Sequence, residues 1–124
     1  MREFERESPT NWKIKKDNRK ETMKQCCKDY LAEQFGGDED VMNEIYEEYV
    51  RSVAEKIGEL KVAAEKTDWI LVDRLAHAMK GNALAAGDAE MAETAIGIRK
   101  SAALKEAASC QSGIDRLVSL KGEL

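Results

Sequence analysis

The sequence predicts an all-α protein, arranged as an up-and-down antiparallel four-helix bundle with an additional N-terminal helix. Three observations point there. Apolar residues recur every three or four positions along most of the chain, the spacing of one helix face. The composition favours helices, with 35% charged residues, 6% aromatic residues and a single proline, Pro9, in 124 residues. The breaks between periodic stretches are a few residues long and carry glycine or aspartate, which suits antiparallel neighbours.

The elements follow in order. Residues 1–22 form a basic, polar segment, and Met1–Asn11, with no apolar period, reads as a flexible lead-in. A first helix is predicted from about Trp12 to Phe35, with Met23, Cys26, Cys27, Tyr30 and Leu31 at helical spacing and Gly36-Gly37 ending it. Residues 23–124 make one domain.

A second helix spans Asp38 to about Glu65, with Val41, Met42, Ile45, Tyr46, Tyr49, Val50, Val53, Ile57 and Leu60 as one broad apolar stripe. Asp38, Glu39 and Asp40 complement the dipole at its start. A third runs from about Asp68 to Ala86, capped by Thr67 or Asp68 and terminated by a left-handed Gly87. A fourth begins at Asp88 and buries Met91, Ala95, Ile98 and Ala102; the last, from about Lys105 to Lys121, offers Ala107, Cys110, Ile114, Leu117, Val118 and Leu120. Gly58 and Gly97 fall inside predicted helices and are read as marks of close helix crossings.

Composition excludes several classes of function. No apolar stretch approaches the roughly 18–20 residues needed to cross a bilayer, and the N-terminus has no apolar signal region, so a cytoplasmic protein that engages no membrane is expected. Three cysteines, Cys26, Cys27 and Cys110, with no C-x-x-C spacing, read as reduced thiols. With one histidine, they supply no recognisable metal set. The net charge of −4 divides unevenly: residues 1–28 carry nine Lys/Arg against five Asp/Glu, and the remainder 11 against 19. An acidic domain repels polyanions, which argues against nucleic-acid binding; the cluster Lys13, Lys15, Lys16, Arg19, Lys20 reads as a solvated face or linker.

His77 is the only histidine. On a wheel of about 100° per residue, Val72, Leu75, Met79, Ala83 and Ala86 lie opposite it and define the core face. Asp73, Lys80, Gly81 and Leu84 lie within about 60° of it. His77 therefore points to solvent. Lys80, one turn on, places a positive charge where it can pair with phosphoryl oxygens. Gly81 weakens the helix but leaves room for a close approach, and Leu84 adds an apolar contact without a folding reason.

The run Ala76-His77-Ala78-Met79-Lys80-Gly81-Asn82-Ala83, followed by Gly87, resembles the signature of the histidine phosphotransfer (HPt) domains of two-component phosphorelays. The likeness covers residues 36–104 closely, including Asp68-Trp69 and the flanking helices, and residues 105–124 more loosely. It implies a four-helix bundle in which His77 accepts a phosphoryl group from a receiver-domain aspartate and passes it to another. Lys80 would neutralise phosphate, and Gly81 would be the small residue beside the histidine. Asp73, Leu84 and Arg99 would meet the partner. Arg99 departs from the pattern, standing where the family often has an acidic residue or glutamine; it would add phosphate affinity or be a surface substitution. Leu84 is bulkier than the pattern.

The implied partners are response-regulator receivers and a hybrid histidine kinase. No cofactor is expected on this chain, because magnesium would sit on the receiver, and a monomer is expected. The residues themselves exclude other catalysts. A self-contained kinase would need glycine-rich ATP boxes and a second domain, and a Ser-His-Asp hydrolase would need G-x-S-x-G in a strand–turn–helix context. The competing reading is a helical adaptor that docks receiver or kinase domains without accepting phosphate.

Overall fold

The structure, a computed structural model, describes residues 23–124. The expected lead-in and the helical stretch before residue 23 lie outside the described residues. Among the described residues the protein is all-helical, with five helices: α1 (Gln25–Phe35), α2 (Glu39–Glu65), α3 (Trp69–Ala85), α4 (Ala89–Ala103) and α5 (Ala107–Lys121). The helix α2 packs on α3, α3 on α4, α4 on α5, and α5 returns to α2; α1 lies against α2.

Local chemistry sets the helix ends. The side chains of Asp38, Asp68 and Asp88 each accept the backbone N–H three residues on, from Val41, Leu71 and Met91 at 3.2–3.3 Å. Each bond satisfies one donor that a helix start leaves free. Asp68 is thus the cap of α3, and Thr67 does a different job. With φ of +52° it is the left-handed residue that ends α2, its own N–H on the Ala64 carbonyl and the next one on Ala63. Lys105, with φ of +56°, closes α4 in the same way. Neither carries the glycine that normally marks this turn.

Twenty-five buried apolar side chains form one core. On α2 they are Met42, Tyr46, Tyr49, Val53, Ile57, Leu60 and Ala63, whereas Val41, Ile45 and Val50 on the expected stripe are half-buried. Val118, also expected inside, is 40% exposed.

The glycines correct the expectation about crossings. A Cβ added at Gly58 or Gly97 would meet nothing within 4 Å, so neither marks a close approach. The tight contact is at Gly113, where a Cβ would stand 2.5 Å from Ile98 Cγ1 of α4. Gly87 is required twice over: its φ is +78°, and a Cβ there would lie 2.3 Å from Tyr30 Cβ of α1.

Asp88 organises a polar cluster inside the fold. Its side chain is fully buried, and it receives the Tyr49 hydroxyl on Oδ2 at 2.7 Å and the Lys24 ammonium on Oδ1 at 3.0 Å, in addition to its capping bond. Burial opposes the Lys24 charge, but the hydrogen bond to Asp88, the Asp88 charge and the bond to Glu90 together outweigh it and hold the ammonium above its ordinary value. Burial and the Asp88 bond both push the Tyr49 hydroxyl up. The Tyr46 hydroxyl accepts the Lys24 backbone N–H and donates to the Leu124 carbonyl, both at 3.2 Å. The start of α4 is therefore tied to α2, to the residue before α1 and to the end of the chain.

Candidate functional site around His77

The helix α3 buries Val72, Leu75, Ala76, Met79 and Ala83, the residue after it, Ala86, is also buried, and His77 is exposed on the other side. The Asn82 amide donates to Ser52 Oγ at 2.6 Å, fixing this half of α3 on α2. The histidine thus stands on a helix whose rotation is set by packing.

Three of the residues expected at the site come together. Arg99 Nε of α4 donates to Asp73 Oδ1 at 2.9 Å, and Arg99 Nη1 lies 3.0 Å from His77 Nδ1. Asp73 is one turn before His77 on the same helix, so the guanidinium bridges two consecutive turns of α3 from the neighbouring helix. A guanidinium has five N–H donors and no acceptor. The Nδ1 atom therefore supplies its lone pair to Arg99, and in the neutral ring the proton sits on Nε2. Among the described residues Nε2 has no hydrogen-bond partner and is the ring nitrogen open to an incoming group.

The other expected residues surround this triad without joining it. Lys80 is half-buried, and among the described residues its ammonium has no ion-pair partner. Gly81 is exposed, with nothing within 4 Å of an added Cβ, so packing does not demand a glycine there. Leu84 is 53% exposed.

Elsewhere the thiols are free, Cys26 exposed and Cys27 and Cys110 buried, and burial raises both buried thiols above their ordinary value. Among the described residues no group of three His, Cys, Asp or Glu side chains is placed to hold a metal ion, and no helix is long and apolar enough to cross a membrane. Comparison with models of protein families, with curated proteins and with solved structures found no match.

The direct Arg99–His77 contact was not legible in sequence. The resemblance marks Arg99 as a partner-facing position that would add phosphate affinity or be a surface substitution, whereas the bridge to His77 depends on how α3 and α4 cross.

Proposed function

We propose that this chain is a phosphorelay intermediate, accepting a phosphoryl group on His77 from the aspartyl phosphate of a receiver domain and passing it to a second receiver. The carrying observation is the presentation of the ring: His77 is exposed on the face of α3 opposite its buried side chains, and its Nε2 edge has no hydrogen-bond partner among the described residues. The lone pair of Nε2 would attack phosphorus in line, and the bond from phosphorus to the donor carboxylate oxygen would break with its electron pair. Lys80, with no partner among the described residues, supplies positive charge to the phosphoryl oxygens. Magnesium would belong to the receiver, so the chain itself needs no cofactor.

The same reading takes α2 to α5 as an up-and-down antiparallel four-helix bundle with α1 added on α2, which the closed circuit of helix contacts supports. Receivers and a hybrid histidine kinase are the partners, Leu84 offers an apolar contact to them, the protein acts as a monomer, and its place is the cytoplasm.

A second reading draws on the Arg99 contact. A ring whose proton is on Nε2 cannot attack from that atom, which favours an adaptor that docks a receiver without accepting phosphate. Mixing the protein with a phosphorylated receiver separates the two. An acid-labile, base-stable label that disappears in His77→Gln supports the relay. A label that persists in His77→Gln refutes it, and stable complex formation without label supports the adaptor.

A further inference from the structure

The contact that favours the adaptor also points to a role for Arg99 within the relay. We propose that Arg99 is a positioning residue that sets the tautomer of His77, restraining the empty ring and stabilising the phosphorylated one. The proposal rests on the reading of His77 as a phosphoryl acceptor.

The reasoning follows the proton. With Arg99 donating to Nδ1 at 3.0 Å, the neutral ring holds its hydrogen on Nε2, whose electron pair is then part of the aromatic system. Attack from Nε2 requires the other tautomer, with hydrogen on Nδ1, and a donor cannot face a donor. Loading therefore requires Arg99 to leave. It has somewhere to go, because Asp73 Oδ1 already holds its Nε at 2.9 Å, and an arriving aspartyl phosphate brings anionic oxygens that compete for the guanidinium.

Once Arg99 has left, Nε2 gives its proton to solvent and Nδ1 takes one from solvent; Nε2 then bonds to phosphorus, the donor carboxylate departs with the electron pair of the broken P–O bond, and the hydrogen on Nδ1 passes to solvent. In the product Nε2 is substituted and Nδ1 again carries a lone pair. That is the acceptor Arg99 requires, so the bridge re-forms on phosphohistidine. Loss of the phosphoryl group to water is assisted by protonation of Nδ1, which makes the ring a better leaving group. A guanidinium on that lone pair competes with the proton. Arg99 thus makes loading conditional on an anionic donor and lengthens the life of the loaded state. An acidic side chain at this position would do the reverse, accepting from Nδ1 and favouring the attacking tautomer.

The single histidine makes the test direct. Long-range nitrogen–proton NMR of His77 is recorded well above its titration midpoint in the parent protein, Arg99→Lys and Arg99→Glu. The expected result is an Nε2–H ring in the first two and an Nδ1–H ring in Arg99→Glu. The three proteins are then loaded with inorganic phosphoramidate, and the acid-labile label is followed as it decays. Decay should be about tenfold faster in Arg99→Glu, the equilibrium value of one hydrogen bond to a charged group, and close to the parent rate in Arg99→Lys. An Nδ1–H ring in the parent, or an unchanged tautomer in Arg99→Glu, overturns the proposal. Equal decay in all three overturns its loaded-state half. Absence of label from all three, with the tautomers as expected, refutes His77 as acceptor while upholding Arg99 as the residue that sets its tautomer.

Discussion

Tyr49→Phe tests how α4, and Arg99 with it, is held. The substitution removes one oxygen and keeps the ring in the core, so its effect reports the hydroxyl alone. That hydroxyl donates to Asp88 Oδ2 at 2.7 Å, and Asp88 has no exposed surface. A hydrogen bond to a charged group contributes about 1.5–3 kcal/mol. Among the described residues Oδ2 has no second donor, because Lys24 and the Met91 N–H both meet Oδ1. The loss should therefore be about 2 kcal/mol, since the bond is short and leaves a buried carboxylate oxygen unpaired. For a chain of this size that lowers the melting temperature by about 8 °C. Circular dichroism during heating measures it. The Asp88→Asn, Tyr49→Phe double variant should lose less than the two single losses together, by about 1 kcal/mol, because the residues touch. A Tyr49→Phe melting temperature within about 2 °C of the parent would refute the reasoning, since Asp88 would then have compensated from water or another donor.

Glycine replacements separate packing from function. Gly113→Ala drives a Cβ against Ile98 and should destabilise by about 1–3 kcal/mol in urea titration, whereas Gly97→Ala, in open space, should stabilise by about 0.5–1 kcal/mol. Gly81→Ala should likewise raise the urea midpoint, yet slow phosphoryl uptake from a receiver; unchanged uptake would remove the close-approach role. Lys80→Ala should slow transfer without lowering the melting temperature, because the ammonium has no ion-pair partner among the described residues. Burial raises the Cys27 and Cys110 thiols above 9.0 and the Tyr46 and Tyr49 hydroxyls above 10.0. The unfolded chain releases these protons first, so this contribution is intact below about pH 9 and is lost as pH rises beyond it. Melting temperatures measured across that range should fall on the alkaline side.

Features set within a few residues could be read from the sequence. Asp38, Asp68 and Asp88 act on amides three positions away, and the faces of α3 follow from its own period, so the solvent-directed placement of His77 needed no knowledge of its neighbours. Features set between helices could not be read in this way. Gly97 and Gly113 look alike as helical glycines, and only the approach of α4 to α5 distinguishes them. Asp88 reads as the start of a helix, but its burial depends on Lys24 and Tyr49, 64 and 39 residues away. Thr67 and Lys105 adopt glycine-like backbone without glycine, so each turn was placed correctly and its residue roles were not. Arg99 and His77 are 22 residues apart, and their bond follows from the packing of α3 on α4.

The Tyr46 hydroxyl has a further consequence. Lys24 and Leu124 meet on that one oxygen, so the two ends of the described span lie side by side. A helical unit whose ends coincide makes a single point of attachment with whatever chain adjoins it. It can be spliced into a surface loop of a host protein, or closed on itself and reopened at the Lys66–Asp68 turn, without stretching a helix. In such a graft His77 would travel as a ready-mounted side chain, carried by the packing of α3 rather than by the host.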